Sequence, residues 1–366
     1  MSPLRRALLA LLAAAGAASS VRAQQARPRT LTFPRDHGAH PEFGVEWWYA
    51  TGWLRRDGAA SGSPGWGFQL TFFRTRTGLA ETLPGRFAPR QLLFAHAALT
   101  DLAAQRLLHA ERIVRWTGDG ATPRAAAAVD DTRLQVGGWR FERGGDGRYQ
   151  CMLGDEGAGF SWRLALAPTQ PLLLQGDAGF SRKGPGPGNA SHYYSQPQLD
   201  VRGELTTGAQ ARHPVRGRAW LDHEWSGSLM PERAVGWDWI GINLDDGGAL
   251  MAFRLRDTQG APVWAGGTLR TADGVRRTFA ADEVHFEPLA WWTSAATRAR
   301  YAVRWRIACP AGGFELRALV DAQELDARAS TGTVYWEGLS ELLGADGKRL
   351  GLGYLEMTGY AAPLRL

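Results

Sequence analysis

Trp237-Asp238-Trp239-Ile240-Gly241-Ile242-Asn243-Leu244-Asp245-Asp246-Gly247-Gly248-Ala249-Leu250-Met251-Ala252-Phe253-Arg254-Leu255-Arg256 is the stretch that decides the fold. Its first half alternates, with Trp237 and Trp239 on one face and Asp238, Ile240 and Ile242 on the other, the two-residue period of a strand. Asp245 to Gly248 supplies turn residues, and the alternation then resumes, so the segment reads as a hairpin. The same rhythm recurs over 46–54, 67–74, 92–99, 160–166, 218–225, 302–307 and 354–360, while helical periodicity is almost absent. Many short strands cut by Gly, Pro and Asp-Gly turns mean an all-β sandwich or barrel.

Lys183-Gly184-Pro185-Gly186-Pro187-Gly188-Asn189 cannot be strand or helix and reads as an exposed loop. It falls near the middle of the chain, so a domain boundary is expected close after it, giving units 31–200 and 201–366. A weak echo supports two related β units: Glu46-Trp47-Trp48 precedes Gly65-Trp66-Gly67-Phe68, as Glu224-Trp225 precedes Gly236-Trp237-Asp238-Trp239.

Residues 1–23 have a basic start (Arg5, Arg6), an apolar run and the small-x-small ending Val21-Arg22-Ala23. This is the pattern of a cleavable signal peptide cut after Ala23, and it predicts a periplasmic or secreted protein. No later run reaches the ~18 apolar residues of a membrane-spanning helix, so the mature chain is not expected to be transmembrane. The formal charge of +6 includes Arg5, Arg6 and Arg22 and falls to +3 without them. The remaining arginines are interspersed with acids, which argues against nucleic acid as a partner. Cys151 and Cys309 fit no metal spacing; a bridge between the halves and two separate buried thiols are both open.

All sixteen Trp lie beyond the signal segment. Alternation places Trp47, Tyr49, Thr51 and Trp53 on one face of a strand, and Phe68, Leu70 and Phe72 on one face of another. Single tryptophans fill β cores, but this many together predict an apolar ligand cavity in at least one domain, since cavity walls favour aromatics with a few placed polar groups.

Three polar constellations stand out. Asp36-His37-Gly38-Ala39-His40-Pro41-Glu42 carries two histidines three apart, yet Gly38 and Pro41 oppose a helix and third and fourth ligands are not visible within it, so a turn is expected over a metal site; the alternative, a metal-dependent hydrolase, would use His37, His40 and Glu46. In Gly217-Arg218-Ala219-Trp220-Leu221-Asp222-His223-Glu224-Trp225-Ser226, alternation puts Trp220, Asp222 and Glu224 on one face and Leu221, His223 and Trp225 on the other. If the first face is buried, one carboxyl has a raised pKa and suits a general acid; otherwise Arg218 or Arg254 pairs with it. Asp238 is expected to be buried and hydrogen-bonded beside Ile240 and Ile242, and Glu46 beside Trp48 and Leu54 poses the same problem. Nucleophile-elbow, zinc-protease, Walker and dinucleotide motifs are absent.

His40-Pro41-Glu42-Phe43, Glu46-Trp47-Trp48-Tyr49, Tyr193-Tyr194-Ser195-Gln196-Pro197, Ala219 to Ser226 and Gly351-Leu352-Gly353-Tyr354-Leu355-Glu356-Met357-Thr358-Gly359-Tyr360 follow one another in order. This set resembles the AttH-like, carotenoid 1,2-hydratase-like family of secreted lipocalin-like proteins. The resemblance implies two lipocalin-like antiparallel β-barrel domains packed together. It also implies cofactor-independent addition of water to an isolated double bond of an isoprenoid, with a carboxylic acid protonating the alkene and aromatic faces stabilising the cation. Family hydratases carry Tyr-x-Asp where this chain has Trp220-Leu221-Asp222, so the acid carries over to Asp222 while the tyrosine does not. The candidate catalytic set is Asp222, Trp220 and Tyr194. The ligand-binding set is Trp47, Trp48, Glu46, Trp225, Glu224, Trp237, Asp238 and Trp239, with no metal and no cofactor. The expected partner is an apolar small molecule, an isoprenoid or lipid; the alternative is a non-catalytic carrier serving an envelope transporter.

Overall fold

The computed structural model describes residues 23–59, 63–78, 90–116, 124–208, 211–228 and 230–364. The expected signal segment, apart from Ala23, lies outside the described residues. Among them the only helical element is a 3-10 turn, Arg35–His37.

The first thirteen strands are β1 (Val45–Arg56), β2 (Trp66–Arg76), β3 (Gln91–Asp101), β4 (Arg106–Trp116), β5 (Ala125–Ala127), β6 (Arg133–Val136), β7 (Trp139–Arg143), β8 (Tyr149–Asp155), β9 (Phe160–Ala167), β10 (Leu173–Leu174), β11 (Phe180–Arg182), β12 (Ala190–Thr207) and β13 (Ala211–Ser226). They form one antiparallel sheet in the order β4-β3-β2-β1-β13-β12-β9-β8-β7-β6-β5, with β10 and β11 paired to β12. Its two ends, β4 and β5, approach each other, so the sheet nearly closes into a barrel.

The second sheet holds β14 (Gly236–Leu244), β15 (Ala249–Arg256), β16 (Pro262–Arg270), β17 (Arg276–Phe279), β18 (His285–Thr293), β19 (Arg300–Cys309), β20 (Gly312–Ala318), β21 (Glu324–Ala327), β22 (Thr333–Leu343) and β23 (Arg349–Thr358). Their order is β17-β16-β15-β14-β23-β22-β20-β19-β18, with β21 on β22. The hairpin read at 237–256 is β14 and β15, and Gly247 takes φ +96° in its turn. The fold is therefore all-β, two lipocalin-like antiparallel barrels packed together.

The sheets divide between Ser226 and Gly236, later than the boundary expected near residue 200. The Gly-Pro loop does separate two strands, but β12 after it returns to the first barrel and pairs with β13 along almost its full length. A bulge between Gln196 and Leu199 interrupts that ladder. There Gln198 (φ +58°) clamps the barrels together, its N–H donating to Asn243 Oδ1 (2.7 Å) and its Nε2 to the carbonyls of Leu244 and Gly248 (2.9 and 2.7 Å).

Both interiors are packed with side chains. Trp48, Phe68, Leu70, Phe72, Trp162 and Leu221 fill the first, and Ile240, Ile242, Trp305, Trp336 and Leu355 the second. A third apolar layer, with Tyr49, Tyr193, Trp220, Trp239, Phe253 and Tyr354, lies between the barrels. The aromatic-walled hollow belongs to this layer, a correction to the expectation of a cavity inside one domain. Cys151 is buried in the first interior and Cys309 ends β19; both are free thiols.

Candidate functional site between the barrels

Strands β1 and β13 lie side by side, with Tyr49 opposite Asp222 and Trp47 opposite Glu224. Alternation thus delivers two aromatics and two carboxyls to one face, and that face turns toward the second barrel. The second barrel answers with Trp237 and Trp239 from β14, Phe253 from β15, Glu337 from β22 and Glu356 from β23. Together they enclose a cavity of about 110 Å³. Gly241 makes the fit possible, since a Cβ there would stand 2.3 Å from Cη2 of Trp239. Phe253 also borders a larger hollow of about 660 Å³ lined by Met251, Trp264 and Phe279.

Asp222 is the polar centre of the first wall. Tyr193 Oη donates to its Oδ2 (2.6 Å), Ser195 Oγ to its Oδ1 (2.5 Å) and Trp220 Nε1 to the same oxygen (2.6 Å). Burial disfavours the ionised form and pushes its pKa up to about 7, although all three donors pull the other way. Neither Arg218 nor Arg254 pairs with it: Arg218 donates to the Gln198 carbonyl and Arg254 to Asp238. Asp222 is a carboxylic acid poised to give a proton near neutrality.

The tyrosine expected beside this acid comes from a different strand position. Tyr194 points to the opposite face, where its Oη is 2.7 Å from His37 Nδ1 and 3.2 Å from His223 Nδ1. Its neighbour Tyr193 takes the place at Asp222 and accepts a hydrogen bond from Trp239 Nε1 (3.1 Å). Trp220 supports the carboxyl through its N–H and packs edge-on to Trp239, centroids 6.3 Å apart.

Of the ligand-binding candidates, Trp47, Glu224, Trp237 and Trp239 line the cavity. Trp48 and Trp225 belong to the other face and stack on histidines, Trp48 on His223 (4.4 Å) and Trp225 on His40 (3.8 Å). Asp238, placed with the ligand-binding candidates, does not line the cavity; it sits inside the second barrel, bound by Arg254 Nε (2.7 Å) and Tyr360 Oη (2.8 Å), in keeping with the buried, hydrogen-bonded reading of its strand. Glu46 touches the cavity edge, but its carboxylate turns inward to Arg74 Nε (2.8 Å), His40 Nδ1 (2.7 Å) and His223 Nε2 (2.9 Å).

That inward network is an ion cluster. His40 also lies 3.0 Å from Asp36 Oδ1, and Asp36 is held by both guanidinium nitrogens of Arg29. Burial opposes charge on His40 and Glu46, yet Glu46 and Asp36 hold the His40 pKa above its usual value, and Arg74 and His40 hold Glu46 well below its own. His40, Glu46 and His223 each bring a ligand atom within 4.8 Å of the others, a trio that keeps His40 and Glu46 of the sequence's metal alternative and has His223 in place of His37. Arg74 and the histidine N–H groups already engage that carboxylate, so the cluster reads as a structural ion pair network.

Lys183, Glu337 and Glu356 line the wall without belonging to the candidate set of the sequence. Lys183, in the Gly-Pro loop, reaches Glu224 Oε1 (2.9 Å) and lies over the rings of Phe253 (4.3 Å) and Tyr193 (4.9 Å). Glu337 and Glu356 stand directly opposite each other on β22 and β23. Burial and mutual repulsion raise Glu337 well above the usual carboxyl range, and burial first, with Asp222 and Glu224 nearby, raises Glu356 to about 8. The Glu356 position was visible within the Gly351–Tyr360 motif; its pairing with Glu337 depends on a register that no local signal gives.

A family model described as AttH-like matches residues 24–360. Among solved structures, a crystal structure assigned as an AttH of Nitrosomonas europaea is 44% identical, with TM-score 0.83 over 92% of this chain and 99% of that one. Kievitone hydratase from Nectria haematococca shares the fold at 14% identity, with TM-score 0.67 over 93% of this chain and 98% of that one. The search of curated proteins found no match. With one family model running through both barrels and a family structure superposing on nearly the whole length, this chain belongs to the AttH-like family.

Proposed function

We propose that the protein binds one end of a long apolar ligand, an isoprenoid or lipid, between its barrels and adds water to an isolated double bond there. The observation that carries this reading is Asp222, a buried acid with a pKa near 7 on the wall of an aromatic cavity. Asp222 gives its proton to the less substituted alkene carbon, forming a C–H bond as the π bond breaks. The tertiary cation is stabilised by the faces of Trp47, Tyr49 and Trp239. Water forms the C–O bond, and its proton returns to the Asp222 carboxylate, so the cycle closes without cofactor or redox change. The cavity takes the reacting end, and the larger hollow beyond Phe253 takes the rest of the chain. The hydratase sharing this fold agrees with that chemistry, and the segment 1–23 would place it in the periplasm or outside the cell.

The test is incubation of purified protein with a panel of acyclic isoprenoids in ¹⁸O-water, followed by mass spectrometry. Wild type should yield an ¹⁸O-labelled tertiary alcohol, and Asp222→Asn should bind the same compound without converting it. Turnover surviving in Asp222→Asn would remove the acid from its role. Lipid that co-purifies unconverted, with no labelled product from any isoprenoid, would favour the carrier for an envelope transporter.

A further inference from the structure

The wall formed by Glu337 and Glu356 is chemically unlike the wall opposite. The two carboxyls face each other across the β22–β23 ladder, and both border the cavity. Glu356 accepts from Trp237, while among the described residues no cation acts on either carboxyl. Glu337 Oε2 is fully buried without a hydrogen-bond partner, and so is the hydroxyl of Tyr49 on the facing wall. Of the cations that border the cavity, Arg74 is bound to Glu46 and Lys183 to Glu224. Two like carboxyls without a counter-ion among the described residues cannot both ionise, so the pair holds at least one proton. Around this unmatched pair stand Tyr49, Trp47, Trp237, Trp239 and Phe253, whose ring faces attract cations.

We propose that this cavity is a binding site for a tertiary ammonium carried on a small branched apolar skeleton, with Glu337 and Glu356 as its counter-ions. The single N–H of such a cation satisfies Glu337 Oε2, and its alkyl groups lie on the aromatic walls. A neutral hydrocarbon fills the same space and leaves that oxygen unpaired. The claim concerns binding, and it stands whether or not the cavity hydrates an alkene.

Binding is linked to pH. Glu356 titrates near 8 and Glu337 above the usual range, so a cation must displace a proton to gain its counter-charge. Among the described residues, the other ionisable groups around the pair are Asp222 and Glu224 from β13, Lys183 from its loop, Tyr193 from β12, Tyr49 and Glu46 from β1, Arg74 from β2, and Tyr335 and Tyr354 from β22 and β23. Asp222, near 7, changes affinity in the same direction as the glutamates, so variants are needed to separate them. The tyrosines stay neutral, because burial raises each of them further.

The experiment is a tryptophan-fluorescence titration of the full chain with N,N-dimethylhexylamine and with 2-methyloctane, its uncharged isostere, at pH 6 and pH 8. An aliphatic amine stays protonated over this range, its pKa being about 10. The amine should bind about tenfold more tightly than the hydrocarbon at pH 8, with a smaller preference at pH 6 and release of protons into weak buffer. Changing Glu337 and Glu356 together to Gln should abolish the preference while keeping hydrocarbon affinity, and either change alone should weaken it if the double variant fails to fold. Asp222→Asn, which stops turnover on the hydration reading, should leave the amine preference in place. Equal affinities for amine and hydrocarbon at pH 8, no binding of either, a preference that survives in the double variant, or one undiminished in both single variants would overturn the proposal.

Discussion

The Tyr193 hydroxyl donates to Asp222 Oδ2 over 2.6 Å, from a strand paired alongside the one that carries the aspartate. Trp239 of the second barrel donates in turn to Tyr193, so the acid is held by groups from both halves of the molecule. Removing a donor to the ionised carboxyl must raise its pKa. A hydrogen bond to a charged group is worth ~1.5 kcal/mol, which is about one pKa unit. Tyr193→Phe should therefore shift the Asp222 midpoint upward by about one unit, read from its carboxyl stretch by infrared titration. An unmoved midpoint would show that the bond does not act on the charged form.

Glu356→Gln should change stability in a pH-dependent way. Glu356 titrates near 8 in the folded protein against 4.5 as its model value, so the folded state binds the extra proton between those limits. Its contribution is fully present below 4.5 and is lost as pH rises through 8. The variant should gain in urea midpoint over the parent at pH 8 relative to the difference at pH 5. A difference equal at both pH values contradicts the raised pKa.

The buried histidines act in the opposite sense. Desolvation lowers His37 and His96 to about 3 and His223 to about 4, against a model value of 6.5. The unfolded chain takes up these protons first, so stability present above 6.5 falls as pH drops toward 4, by up to ~1.4 kcal/mol per pH unit for each proton. His40, raised by its carboxylates, runs the other way: its contribution is present below 6.5 and is lost as pH rises through its folded value. His96 bonds to Tyr335 Oη (2.6 Å) and Ser330 Oγ (2.8 Å), neither of them a cation-bearing group. His96→Gln should flatten the acid limb of a urea-midpoint profile by about one proton, and an unchanged slope would contradict its neutral burial.

Glu46→Gln tests the inward ion cluster. It leaves the Arg74 guanidinium buried without its counter-charge, which costs ~3–5 kcal/mol in comparable pairs. Urea unfolding should show a loss of that size. Near-wild-type stability would mean that the cluster is not held by this pair.

Strand alternation made much of this molecule legible. It separated Trp220, Asp222 and Glu224 from His223 and Trp225, and it put Asp238 with Ile240 and Ile242, as the structure has them. What alternation cannot give is which face looks where, because β1 and β13 are buried on both sides. Alternation therefore does not tell that Trp48 and Trp225 pack on histidines rather than on the cavity, or that Tyr193 and not Tyr194 reaches the acid. Lys183 and the Glu337–Glu356 pair lay beyond local reading for a related reason. The first depends on how a loop folds back, and the second on cross-strand register.

The central claim, that Asp222 is a protonated acid at neutrality on the wall between the barrels, is tested most directly by infrared difference spectroscopy. Spectra of wild type minus Asp222→Asn would be recorded from pH 5 to pH 9. The account predicts a protonated-carboxyl band at pH 6 that converts to carboxylate with a midpoint near 7. A carboxylate band already complete at pH 5 would contradict it.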